Sequence, residues 1–224
     1  MGEVLLGLLP LIVGAAVVPI WIIMVLFLLR SKGGLLKAAA FAAGAIIVRL
    51  AQGVLFGYVF GKSAEANGDT GSSVIVSTLL LVVGILMLIT AFKQWRKEDD
   101  PDAPPPKWIA AISGLSTVKA LGIGALLVAI AAKQWVFTLS AMGVIGQARL
   151  SQAANIIAFL FYVLAASSLV LAPIVVYAVA PTQSAKTLDA AQGWLERHNR
   201  VIVIAISLVF GLLFLFKGIT GLTG

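Results

Sequence analysis

The sequence predicts an all-α integral membrane protein, with six transmembrane helices forming two inverted three-helix repeats. Three observations predict this class. First, 61% of the 224 residues are hydrophobic and 11% are charged, with a mean hydropathy of +1.08. A soluble domain is about half apolar and a quarter charged, and a core of this size could not hide so much apolar surface from water. Second, six continuous apolar stretches reach the roughly 20 residues that a spanning helix needs. Continuous rather than alternating runs exclude a transmembrane barrel. Third, the two halves of the chain can be laid on each other. Disorder is excluded by composition. The absence of cysteine excludes disulfide scaffolds, thiol redox chemistry, iron–sulfur ligation and thiolate zinc sites, and the single histidine, His198, argues against a histidine metal site. The net charge of +7 fits basic cytoplasmic loops better than a nucleic-acid partner.

The spans fall at about 3–29, 34–60, 74–95, 117–142, 152–179 and 200–219. The first has no basic region ahead of it and no small-residue cleavage site, so it reads as a retained helix. Loop 1, Ser31-Lys32-Gly33-Gly34, is a tight turn, and loop 2 around Glu65-Ala66-Asn67-Gly68-Asp69 is a polar turn. Residues 98–116 form a cytoplasmic linker whose acidic, proline-rich part, Glu98 to Pro106, is a stiff extended spacer. It divides residues 1–97, the first three-helix repeat, from 117–224, the second. In the last loop, Leu188, Ala191, Gln192 and Leu195 recur at helical spacing beside Trp194, which predicts a short interfacial helix over about 182–199.

Basic residues set the orientation. Loops 1, 3 and 5 with their helix ends hold 11 of them, from Arg30 to Arg200, and the opposite side holds 3, Lys62, Arg149 and Lys217. This asymmetry places loops 1, 3 and 5 in the cytoplasm and both termini outside. The repeat rests on two matches. Pro19-Ile20-Trp21 overlies Lys133-Gln134-Trp135 at an offset of 114, and Val74-Ile75-Val76 with Gly84 overlies Val201-Ile202-Val203 with Gly211 at an offset of 127. Three spans per half make the repeat inverted, a habit of transporters, with sites near the midplane.

Two cations lie inside spans. Arg49 is 15 residues into span 2 and Lys133 is 16 residues into span 4, so both sit roughly 22–24 Å from the cytoplasmic end of a straight helix. A central Arg or Lys costs about 3 kcal/mol even on the lenient insertion scale. No Asp or Glu lies deep in a span, so backbone carbonyls, water or a bound anion must compensate the two cations; an anionic ligand shared by both is the functional expectation, and snorkelling or a wet cleft is the bland alternative. Gln52, one turn from Arg49, and Gln134, beside Lys133, could share that ligand. Lys119, about four turns before Lys133, could feed an anion inward or simply mark the cytoplasmic side. Pro10, Pro19 and Pro173 are candidate helix breaks or gates, since proline removes a helical hydrogen bond, and a half-helix starting at Pro19 would aim its positive end at the midplane. No metal site, nucleotide loop or catalytic constellation is present, so neither enzyme activity nor a cofactor is expected.

Four segments stand out: Leu115-Ser116-Thr117-Val118-Lys119-Ala120-Leu121-Gly122, Trp95-Arg96-Lys97 before the acidic linker, Leu171-Ala172-Pro173, and Glu196-Arg197-His198-Asn199. Together they resemble the actinobacterial glycopeptidolipid- and sulfolipid-addressing proteins (the Gap/Sap family) of the lysine-exporter (LysE) superfamily. The family often shows Asn-Pro-Lys in span 4, where this chain has Ala131-Ala132-Lys133. The resemblance implies export of a cell-envelope glycolipid or related solute across the bacterial inner membrane. Combined with the cations, it favours an anionic lipid or small anionic solute as partner. An amino-acid or ion exporter of the LysE type, and a non-transporting accessory subunit of a lipid export or synthesis complex, are the alternatives. The protein partners expected are a second copy of the chain or envelope-lipid export and synthesis proteins.

Overall fold

A computed structural model describes residues 2–97, 114–148 and 150–223. The extended spacer expected from Glu98 to Pro106 lies outside these residues. Among the described residues the regular structure is helical throughout: α1 (Gly2–Ala16), α2 (Pro19–Arg30), α3 (Gly34–Arg96), α4 (Thr117–Ile130), α5 (Ala132–Gln147), α6 (Gln152–Val179) and α7 (Pro181–Thr223). Four segments are long and apolar enough to cross a membrane: Gly34–Gly57, Val76–Arg96, Gln152–Val179 and Lys186–Thr223. Two further pairs qualify only when joined, α1 with α2, bent by 59°, and α4 with α5, bent by 72°. The protein is therefore a helical membrane protein with four to six candidate spans.

Three elements depart from the sequence reading. The polar turn expected at 65–69 is helical in backbone, within α3. A straight helix would nevertheless separate Phe56 from Val76 by about 30 Å, yet the two share one apolar cluster, so the two apolar segments of α3 lie side by side. The interfacial helix expected at 182–199 is not separate but is the first part of α7; no proline or glycine pair interrupts the path into the last span. There Leu188 packs beside Leu29 and Tyr177, and Arg30 pairs with Asp189. Finally, Pro10 and Pro173 do not break their helices, since α1 and α6 run through them. Each costs one backbone bond, and tertiary packing holds the helix on both sides.

The turn at loop 1 forms as expected. Gly33 takes a left-handed φ of 69° at the start of α3, a conformation that favours glycine. α3 then packs at backbone distance on α4: a Cβ on Gly44 would strike the Leu121 carbonyl, and one on Gly124 would strike the Phe41 carbonyl. Small residues at helix contacts allow this approach within membranes. The apolar interior divides into two main clusters. One joins Leu8, Ile12, Val83, Phe137, Tyr162 and Phe214. The other joins Trp21, Leu28, Phe41, Ala120, Val128 and Ile174. Between them in sequence, on each contributing helix, fall the polar residues Arg49, Gln134 and Ser167 and the two helix breaks.

Candidate functional site

The first break follows from proline chemistry. Pro19 has no N–H, so the Ala15 carbonyl, four residues earlier, has no helical donor. Two side chains supply donors instead: Gln134 Nε2 at 3.2 Å and Arg49 Nη2 at 3.5 Å. The second break has no proline. Ala131 is extended (φ −80°, ψ 92°), ending α4 and starting α5. The Trp135 indole Nε1 donates to the Ala129 carbonyl at 2.7 Å, taking the acceptor that the Lys133 N–H would fill in a continuous helix. The absent Asn-Pro therefore does not prevent the break at Ala131-Ala132. The breaks fall at Val17–Val18 and at Ala131, 114 residues after Val17, the offset that lays Pro19 on Lys133.

Arg49 joins the breaks. It is 2% exposed. Its Nη1 donates to Ser167 Oγ at 3.1 Å and its Nη2 to Gln134 Oε1 at 3.0 Å. Its guanidinium carbon lies 5.9 Å from the centre of the Trp21 ring, within cation–π range. These partners are a hydroxyl, an amide, a carbonyl and an aromatic face, and all are neutral. Dispersed over four elements, they tie α3 to α1, α2, α5 and α6. Arg49 Nε and both amide atoms of Gln52 are buried without a hydrogen-bond partner, an arrangement that costs free energy in a packed interior.

Lys133 faces a different space. Consecutive helical residues project about 100° apart, so Gln134 turns to Arg49 while Lys133 turns away. Lys133 lines a cavity of about 250 Å³ with Val18, Pro19, Gln94, Asn199 and Ser207. It also borders a smaller space of about 50 Å³ beside Met87 and Thr90. Its Nζ lies 5.6 Å from the centre of the Phe137 ring. Among the described residues no carboxylate lines either space. Pro19 and Ile20, the first residues of α2, border the larger cavity, and Lys133 itself is the second residue of α5. The positive ends of α2 and α5 therefore meet a lysine there, beside Val17 and Gln94 at the C-terminal ends of α1 and α3. The arrangement suits an anion.

The other sequence candidates take various places. Lys119 is exposed at the start of α4, where its N–H donates to Ser116 Oγ at 3.3 Å. Pro19 opens α2 as expected. Pro10 and Pro173 lie away from both breaks in sequence. Sequence reasoning missed Ser167, Trp21, Gln94, Asn199 and Ser207. Ser167 and Ser207, hydroxyls inside apolar spans, carried a weak signal; Asn199, at the edge of a polar loop, carried none.

Residues 8–220 match the family described as Sap, sulfolipid-1-addressing protein (SfLAP), and the chain belongs to that family. No curated protein and no solved structure matches the chain.

Proposed function

We propose that the protein moves an anionic cell-envelope lipid across the bacterial inner membrane, and that Lys133 holds the lipid's charged group. The observation that carries this reading is the cavity at the two helix breaks. It offers a lysine and two helix N-termini, and no carboxylate among the described residues competes for them. The family description, which names a sulfolipid, supports a lipid with an anionic group. In this reading Arg49 is not a second ligand grip. Its terminal nitrogens are already engaged, and it fixes the two breaks relative to each other.

Two inverted halves are the architecture proposed, with loops 1, 3 and 5 cytoplasmic. The matched breaks at an offset of 114 support the repeat, and the uneven distribution of Lys and Arg supports the orientation. The LysE-type frame fits the same features. Single cysteines at Ser31 and Gly68 would test the orientation without interference, since the chain has no cysteine of its own. The lipid reading is tested by native mass spectrometry of the purified protein. An anionic lipid should copurify with the wild type and be lost from Lys133→Gln. A bare protein, or neutral lipid retained equally by both, would refute it.

A further inference from the structure

Two spaces of opposite character lie on either side of one helix seam. α7 meets the second apolar segment of α3 almost backbone to backbone where glycines face across. A Cβ on Gly84 would come within 2.6 Å of Leu215 N, and one on Gly218 within 2.6 Å of Leu81 N. Toward the Arg96 end larger side chains line the seam. On its inner side lies the Lys133 cavity, bordered by Gln94, Asn199, Val203 and Ser207. On its outer side lies an apolar groove of about 520 Å³ lined by Leu88, Ala91, Phe92, Trp95, Ile204 and Leu208. Phe92 and Trp95 are 54% and 66% exposed. Arg200 bridges the helices at this end, donating from Nε to the Gln94 carbonyl at 3.2 Å and from Nη2 to the Trp95 carbonyl at 2.8 Å. Both carbonyls belong to the last turn of α3, where helix geometry provides no N–H.

We propose that this seam is a lateral door for the lipid. The charged group passes between α3 and α7 to Lys133, while an acyl chain stays outside in the Phe92–Trp95–Ile204–Leu208 groove. The inference rests on the function proposed above and deepens it: the substrate is an anionic lipid with a long acyl chain, taken from the bilayer and not from water. A soluble anion would need only the inner cavity. The glycine contacts keep one end of the seam closed. At the other end Arg200 spans the seam through its bonds to the Gln94 and Trp95 carbonyls.

The test uses the full chain in liposomes with phosphatidic acid that carries a photoreactive diazirine on its acyl chain. Diacylglycerol with the same chain is the neutral control. Label should concentrate on the peptides bearing Phe92–Trp95 and Ile204–Leu208. It should fall at least about fivefold, roughly 1 kcal/mol of binding, with the neutral lipid, in Lys133→Gln, and in Phe92→Gln/Leu208→Gln. Calorimetry with glycerol phosphate separates the two claims. It should bind the wild type and the groove variant alike, and bind Lys133→Gln more weakly. If glycerol phosphate binds but label on these peptides is indifferent to lipid charge and to Lys133, the door is refuted and the anion site stands. If glycerol phosphate fails to bind the wild type and label spreads evenly over the lipid-facing helices, both are refuted.

Discussion

Removing a neutral partner of Arg49 should destabilise the protein more than removing Arg49 itself. Gln134→Ala deletes the acceptor of the 3.0 Å bond from Arg49 and the donor of the 3.2 Å bond to the Ala15 carbonyl. Hydrogen bonds between helices in membranes average about 0.6 kcal/mol and reach about 1.7, and a charged donor places the Arg49 bond near the upper end. Adding the void left by a side chain that is 2% exposed brings the loss to about 3 kcal/mol. Arg49→Met loses the same bond, those to Ser167 and the Ala15 carbonyl and the contact with the Trp21 ring, but it also removes a buried cation that has no carboxylate partner among the described residues. Relief of that desolvation cost offsets the lost bonds, so the net change should stay within about 1.5 kcal/mol of zero. In the double variant the Gln134 loss should shrink, with a coupling of about 1–2 kcal/mol. Reversible unfolding in mixed micelles, followed by tryptophan fluorescence, measures all four corners of the cycle. A loss above about 4 kcal/mol for Arg49→Met, beside less than about 1 for Gln134→Ala, would refute the view of Arg49 as a hub held by neutral partners.

Further expectations follow from the same geometry. Pro19→Ala returns an N–H that can reach the Ala15 carbonyl and compete with Arg49 and Gln134; stability should hold or rise by up to about 1 kcal/mol while lipid movement slows about tenfold, and a variant with unchanged rate would show that the break is not used. Gly44→Val drives a side chain into the Leu121 backbone and should cost about 3 kcal/mol or more, seen as loss of folded protein in size-exclusion chromatography; normal yield and stability would contradict the close α3–α4 contact. Asp189→Asn removes an exposed pairing with Arg30 and should change stability by less than about 1 kcal/mol, so a large drop in melting temperature would mean that this contact closes the structure.

Depth was legible in the sequence and direction was not. Counting residues from the span ends put Arg49 and Lys133 at one level, and the 3.0 Å bond from Arg49 to Gln134, the residue next to Lys133, agrees with that count. A count along an axis cannot say which of two adjacent side chains turns inward, and it is Gln134 that does. Four of the apolar stretches were legible as single spans because long uninterrupted runs dominate the pattern; α6 begins at Gln152 behind a Ser151 hydroxyl that accepts the Ala154 N–H at 3.3 Å. The break near Pro19 was visible because proline acts locally. The break at Ala131 was not, because alanine favours helix. Tertiary contacts override it, with Trp135 taking the Ala129 carbonyl and Gln134 bonding across to Ala15. Pro10 and Pro173 show the reverse, a strong local signal that packing absorbs.

Passage of an anionic lipid across the membrane by way of Lys133 can be followed directly. The direct measurement is a reconstitution of purified protein in liposomes containing fluorescent phosphatidic acid, with dithionite quenching to follow movement between leaflets. Wild-type protein should move this lipid faster than it moves a fluorescent phosphatidylcholine of zero net charge, and Lys133→Gln should slow it at least about tenfold, equivalent to about 1.4 kcal/mol on the barrier, with folding unchanged by melting temperature. Equal rates for the charged and neutral lipids, or full activity in Lys133→Gln, would contradict the account.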